Sequence, residues 1–255
     1  MKHFRIIPCL LKMNDGLVKG IKFKKHQYIG DPINSIRIFN DKGADELIYL
    51  DIDCSIKSKK PDFNYIKKIT DECFMPLCYG GGVQSKEEVL QILGLGVEKV
   101  AINTGYVLNK NLITESSKLT GSQSIVAVID YKKSLFGKNK ITILNGTESI
   151  KQNPIDLAKM LEEQGAGEIL LNSIDRDGTR SGYDIDMIHQ ISSSISIPVV
   201  ALGGSNSIED FKSAKKAGAS AAAAGSQFVF YGQQNAVLIN YPITEEIREK
   251  EFFDN

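Results

Sequence analysis

The sequence predicts an α/β fold, a (βα)8 TIM barrel built from two duplicated half-barrels, and three observations lead there. First, the chain repeats itself. The run Gly43-Ala44-Asp45-Glu46-Leu47-Ile48-Tyr49-Leu50-Asp51-Ile52-Asp53 aligns with Gly165-Ala166-Gly167-Glu168-Ile169-Leu170-Leu171-Asn172-Ser173-Ile174-Asp175, an offset of 122 residues (165 − 43). The same offset pairs Pro76 with Pro198, Gly81-Gly82 with Gly203-Gly204, Gly96 with Gly218 and Thr104 with Ser226. One offset kept without a gap over such a length marks a duplication, with a period too long for a solenoid. Second, β-rich runs alternate with helical patterns eight times, which calls for a parallel sheet with crossovers. Third, 255 residues suit a single barrel domain, with half-barrels at roughly 1–120 and 121–240.

Strands are expected at 4–11, 46–52, 76–79, 98–102, 124–130, 168–173, 197–201 and 220–224. The opening Met1–Leu11 faintly imitates a signal peptide, but its apolar run is short, Lys12 follows, and a small-residue cleavage site is missing; it reads as the first strand. Helices are expected near 31–42, 61–73, 85–95, 109–119, 154–164, 183–194 and 207–217, with a weaker one near 234–241. Asp31-Pro32 and Asn153-Pro154 each set a capping residue before a proline at the first helical position. Gly43, Gly96, Gly165 and Gly218 stand where a helix end wants a left-handed residue. Two long connections, 12–30 and 131–153, start at equivalent points of the halves and are candidate lids over the active face. The second contains Lys140-Ile141-Thr142-Ile143-Leu144 and then Asn145-Gly146, a hairpin signal.

Composition bounds the function. Lys plus Arg (31) balances Asp plus Glu (31), which leaves no electrostatic footprint for nucleic acid or an anionic membrane. No apolar run approaches the ~20 residues that cross a bilayer. Cys9, Cys54, Cys73 and Cys78 are scattered, and His3, His26 and His189 stand alone. That pattern points to the reducing cytoplasm and offers neither a disulfide framework nor a metal site. No cofactor is expected.

The chemistry concentrates in the loops after the strands. Gly80-Gly81-Gly82 and Gly203-Gly204 each follow a strand and precede a helix, and such glycines let backbone approach a phosphate closely. Asn103-Thr104-Gly105 and Gly225-Ser226 sit where phosphate-binding barrels complete the site. Tight turns alone would also use these glycines, but their pairing in both halves favours phosphate. Asp51 and Asp130 close their strands, and Asp175-Arg176-Asp177-Gly178-Thr179 follows the sixth. Carboxylates there either catalyse or position a ligand, or else they cap a helix or pair within a loop. Asp130 is the candidate catalytic residue, and Asp51 and Asp177 are candidates for positioning substrate. Arg5, Glu46, Lys99 and Glu168 stand at the opposite strand ends, able to form an ion-pair ring at the barrel base or to remain four solvated charges.

These residues closely resemble HisF, the cyclase subunit of imidazole glycerol phosphate synthase, over nearly the whole chain to about Phe230. The most specific stretches are Gly165–Leu171, Ser173–Thr179, Ser181–Asp184 and Tyr79–Val83. The resemblance implies a barrel that receives ammonia from a class I, HisH-like glutaminase docked at its bottom and delivers it to a bis-phosphate substrate at the top. It implies that Gly82, Asn103 and Thr104 hold one phosphate, and Gly178, Gly204, Gly225 and Ser226 the other. It also makes Arg5, Glu46, Lys99 and Glu168 an ammonia gate. The chain departs from the family at its first strand, where a catalytic aspartate is replaced by Leu11 in Cys9-Leu10-Leu11. Leu11 is also the internal counterpart of Asp130. A leucine exchanges no proton, and acid–base work on the cyclase substrate needs two titratable groups. Asp15 is close in sequence but lies out in the loop. Together with Tyr28–Ser35 and Leu11-Lys12, the departure resembles the HisF-like proteins of surface-polysaccharide clusters. That resemblance implies ammonia supply to acetamidino modification of a sugar, with an ATP-dependent sugar amidotransferase as a further partner. Two alternatives stand beside it: a histidine-pathway cyclase, and a non-catalytic scaffold that activates a glutaminase.

Overall fold

A computed structural model describes residues 4–134, 137–232 and 234–241. His3, one of the three isolated histidines, lies outside the described residues. The barrel wall consists of β1 (Arg5–Met13), followed after a hairpin β2 (Gly16–Ile21) and β3 (Lys24–Gly30) by β4 (Leu47–Asp51), β5 (Leu77–Gly80), β6 (Lys99–Ile102) and β7 (Ile125–Lys133). After a second excursion, β8 (Asn139–Ile143) and β9 (Glu148–Ile150), it continues with β10 (Glu168–Ser173), β11 (Val199–Leu202) and β12 (Ala221–Ala224). Parallel pairing runs β1–β4–β5–β6–β7–β10–β11–β12 and back to β1, so the eight wall strands close on themselves. Closure leaves the wall no free edge to pair with another chain.

The connecting helices are α1 (Pro32–Asp41), α2 (Asp53–Ile56), α3 (Phe63–Glu72), α4 (Lys86–Gly94), α5 (Thr104–Leu108), α6 (Leu112–Thr120), α7 (Pro154–Glu163), α8 (Ile185–Ser192), α9 (Ile208–Lys216) and α10 (Ser226–Val229). Local sequence accounts for their starts. Asp31 and Asn153 cap α1 and α7 just ahead of a proline, and Ser85 forms a capping box with Glu88 at α4. Gly43, Gly96, Gly165 and Gly218 all take positive φ past helix ends.

Strand periodicity sorts the wall residues into two cores. Ile6, Leu10, Leu47, Tyr49, Leu77, Tyr79, Val100 and Ile102 face outward and pack with the helices. Ile7, Cys9, Ile48, Cys78, Ala101, Val126, Val128, Leu170, Val200, Leu202, Ala221 and Ala223 face inward and form a separate buried cluster in the lumen.

Two expectations need correction. Segment 12–30 is regular: β1 runs on to Met13, and β2–β3 form a ladder pairing Val18 with Tyr28 and Lys19 with Gln27. The helix expected near 234–241 does not form among the described residues. A short pair joins Phe230–Tyr231 to Ala236–Val237, and Tyr241 beyond it is 2% exposed, its hydroxyl donating to Ile6 O at 2.9 Å. The Asn145-Gly146 turn does join two strands, β8 and β9, with Leu144 and Asn145 both at positive φ.

Candidate functional site

Three layers can be read up the lumen from strand parity. At the bottom, Arg5, Glu46, Lys99 and Glu168 each lie two residues before an inward-facing residue, so all four side chains turn into the barrel. Arg5 pairs with both Glu46 and Glu168. Lys99 Nζ lies 2.9 Å from Glu46 Oε2 and 3.0 Å from Glu168 Oε2, which completes a ring of alternating sign. Burial alone would lower the pKa of Arg5 and Lys99, but the Glu168 and Glu46 carboxylates outweigh it and hold both cations above their ordinary values. Both carboxylates are nearly buried, at 4% and 7% side-chain exposure, and each meets two cations, the condition under which such charges are tolerated.

Above the ring the twelve inward apolar residues fill the middle layer. Cys78 belongs to this layer, and burial pushes its thiol well above the ordinary range, which keeps it an inert thiol.

The top layer is polar. Asn103, Asp130 and Asn172 lie two residues past Ala101, Val128 and Leu170 on the inward parity, and Asn172 pairs in register with Asp130 across β10–β7. Asn172 Nδ2 donates to Asp130 Oδ1 at 2.9 Å, and Asn103 Nδ2 lies 3.2 Å from Asp130 Oδ2. Burial pushes the Asp130 carboxyl up to about 7, against the hydrogen bond from Asn172 that favours its ionised form. The Asn172 Oδ1 atom is buried without a hydrogen-bond partner.

These groups line a cavity at the C-terminal end of the barrel, together with Leu11, Leu50, Asp51, Gly80–Val83 and Thr104. Leu11 and Leu50 pack on the lumen cluster, so the cavity wall is apolar where the family's first aspartate would stand. Asp51 is turned the other way: its Oδ2 meets Lys12 Nζ at 2.7 Å, and that ammonium lies 5.0 Å over the Tyr65 ring. Gly82, Asn103 and Thr104 come together in the wall. Of the second set, Asp177 and Gly225 line the cavity, whereas Gly178, Gly204 and Ser226 do not. Asp175 and Arg176 do not pair: Asp175 Oδ2 accepts from Lys133 N at 2.6 Å and Arg176 donates to Ser181 O and Gly182 O.

The hairpin contributes two residues that the motif reading missed. Lys19, 5% exposed, donates through Nζ to Cys9 O at 2.5 Å, and its burial lowers its pKa while the thiol of Cys9 and the carboxylate of Asp177 oppose that. His26 also lines the cavity, lowered by burial. The signal available for Lys19 was a lysine against a glycine, Val18-Lys19-Gly20, inside a segment read as loop.

The family described as "Histidine biosynthesis protein" matches residues 5–235. A Pseudomonas aeruginosa protein, provisionally named imidazole glycerol phosphate synthase subunit hisF2, is 49% identical over 243 residues, covering 95% of this chain and 97% of its own. A Leptospira interrogans protein, provisionally named subunit HisF of that synthase, is 47% identical over 244 residues, 95% of this chain and 96% of its own. An Alkaliphilus metalliredigens protein named imidazole glycerol phosphate synthase subunit HisF is 39% identical over 229 residues, 90% of this chain and 91% of its own. No described helix is long and apolar enough to cross a membrane.

Proposed function

This chain belongs to the histidine biosynthesis protein family, among its HisF-like members, and on that premise we propose that it is the ammonia-conducting synthase subunit of a glutamine amidotransferase system. A class I glutaminase docks at the barrel bottom and releases ammonia, which passes the ring of Arg5, Glu46, Lys99 and Glu168. It leaves beside Asp130 for the acetamidino modification of a surface-polysaccharide sugar, held by an ATP-dependent amidotransferase. The observation that carries this reading is the pairing of a complete charged ring at one end of the lumen with Leu11 at the other. The entrance is equipped for ammonia, while the exit has lost the carboxylate that would face Asp130.

The test uses the purified chain, supplied with ammonia and the histidine-pathway bis-phosphate. Loss of one of two acid–base groups typically costs ~100–10,000-fold, so turnover should fall below that of a HisF cyclase by such a factor. Turnover at ordinary cyclase rates would sink the conduit reading. The second reading, the cyclase subunit itself, would then lead. It is favoured by one specific feature: buried Asp130, with a pKa of about 7, remains suited to both donating and accepting a proton near neutrality.

A further inference from the structure

The neutral charge of the whole chain conceals a segregation. Segments 12–30 and 131–153, the excursions that follow β1 and β7, each hold five lysines and a single carboxylate, Asp15 in one and Glu148 in the other. With Lys plus Arg and Asp plus Glu both at 31, the rest of the chain is acidic to the same extent. Folding brings the two excursions together at the C-terminal end of the barrel. Lys22 N donates to Asp177 O at 2.9 Å and Leu144 N to Thr104 Oγ1 at 3.1 Å, which pins each hairpin to the loops beneath it. Their turns then meet: a Cβ on Gly146 would stand 3.1 Å from the Phe23 ring. Phe23 and His26 of the first hairpin and Asn145 of the second line the cavity, so the lysines beside them stand around its mouth.

Within the chain, Lys12 is paired with Asp51 and Lys19 is buried. Lys22, Lys24 and Lys25 on the first hairpin, and Lys133, Lys138, Lys140 and Lys151 on the second, are exposed. Among the described residues none of these seven forms an ion pair, whereas Lys57, Lys67, Lys86 and Lys212, on and beside the helices, each pair with a carboxylate. Lys132 and Lys140 even stand directly opposite one another across the β7–β8 ladder, on the strand parity of Asp130. Like charges so placed destabilise an antiparallel pair, and Lys132 Nζ donates to Gly146 O at 3.0 Å, not to a carboxylate. A local rule broken in this way marks a surface shaped by something other than stability.

The chemistry of this rim suits a protein surface. Arg176 and Arg180 donate to the backbone carbonyls of Ser181, Gly182, Ser226 and Phe230, so neither guanidinium fork is offered to a phosphate backbone. The first hairpin also holds Tyr28 65% exposed, with its ring packed over Gly16, the kind of rigid aromatic that anchors protein interfaces. On the conduit reading, moreover, ammonia leaving beside Asp130 has to be handed on before water protonates it, which requires a second protein seated over the mouth.

We propose that the lysines of the two hairpins are the docking surface for the acceptor enzyme, which presents an acidic face and covers the cavity mouth. This rests on the conduit reading and adds to it where the acceptor sits and what complementarity seats it. Unpaired lysines around the mouth steer an acidic face toward it, so association is fast and sensitive to salt.

The test follows association of the full chain with the purified ATP-dependent amidotransferase by surface plasmon resonance across a range of ionic strength. The wild-type on-rate should fall at least about tenfold as salt screens the charges. K24E/K25E and K138E/K140E should each slow association about tenfold at low salt and flatten its salt dependence. K159E/K216E, which makes the same change of charge on α7 and α9, should leave it unchanged. No wild-type association, association indifferent to salt, or equal loss in K159E/K216E would each overturn the proposal. So would a DNA duplex or phosphatidylglycerol vesicles held more tightly than the amidotransferase at the same salt. Ammonia transfer is read separately. Association that depends on the lysines without any transfer would sink the conduit reading and leave the docking face. Transfer that proceeds while the hairpin variants associate at the wild-type rate would do the reverse.

Discussion

Replacing Asp130 by asparagine should make the protein more stable, and increasingly so as pH rises. Asp130 is 9% exposed, and burial pushes its carboxyl up to about 7 from the ordinary aspartate value of ~3.9. A folded-state pKa raised above the unfolded one means that the native state holds the proton more tightly. The stability that this confers is complete below the unfolded pKa and is lost as pH climbs through the folded one. A shift of ~3 units at 1.36 kcal/mol each makes the whole cost of ionising Asp130 on the order of 4 kcal/mol. Asparagine has the same shape and carries no charge, so it escapes that cost. It also brings a donor amide within reach of Asn172, whose Oδ1 has no partner and whose amide can turn to accept.

Most of the difference develops between pH 5 and pH 9. Wild-type Asp130 is protonated in the folded state at the lower value and ionised at the higher. About 2 of the ~3 units lie in that window, so the gap between D130N and wild type should widen by ~3 kcal/mol. For a chain of this size that corresponds to roughly 6–12 °C in unfolding midpoint. Urea denaturation of both proteins at pH 5, 6, 7, 8 and 9 reads it directly. A gap that stays flat to within about 0.5 kcal/mol across the range would show that Asp130 is not a buried, proton-holding carboxyl, and its candidacy as an acid–base group would go with it.

Two further substitutions probe the ends of the lumen. Lys99→Met leaves Glu46 and Glu168 to share Arg5 alone, and it should cost about 3 kcal/mol. Paired urea melts of the variant and wild type check this, and with a glutaminase present the variant should hydrolyse glutamine without passing its ammonia on. Gly178→Ala forces a Cβ into Gly20 O at a φ of +69°, so the hairpin should lift. Trypsin cleavage at the exposed Lys22, Lys24 and Lys25 should then rise well above wild type while the barrel survives, and unchanged cleavage would contradict the packing.

The barrel was legible because its signals are local. A two-residue alternation marks each wall strand, a cap or glycine marks each helix end, and the charged ring follows from counting two positions back along the strand. The hairpin was not. Its turns use Asn14, Lys22, Phe23 and Lys25 at positive φ, residues whose types do not announce a turn as Asn145-Gly146 does. For the same reason Lys19 could not be placed, since only the folded hairpin carries it to Cys9 O and Gly225. Asn172 escaped for a different reason: its link to Asp130 depends on the register between β10 and β7, which lie 42 residues apart along the chain. The missing final helix reflects tertiary packing. The segment after α10 is held by Leu238 N bonding to Val229 O and Asn240 N to Phe228 O, and a helix over 234–241 would forgo both.

The order of the three layers bears on what could travel between them. An ammonium ion entering the middle layer would leave water for twelve apolar side chains, none more than 8% exposed and none offering an ionised partner. The desolvation of a small cation costs several kcal/mol even after relaxation, whereas neutral ammonia loses only hydrogen bonds. On the conduit reading the ring therefore has a second task besides closing the barrel base. Its cations, held above their ordinary pKa, are poor proton donors, so ammonia meeting Lys99 and Arg5 there would not be protonated by them. At the upper end Asp130, titrating near neutrality, is the first ionisable group that an emerging molecule would meet on the inward face of β7, and it can give up a proton or take one back. Leu11 leaves no carboxylate on the inward face of β1 to share that exchange with Asp130. Delivery of ammonia requires no more than this, whereas ring closure on a bis-phosphate needs an acid and a base together.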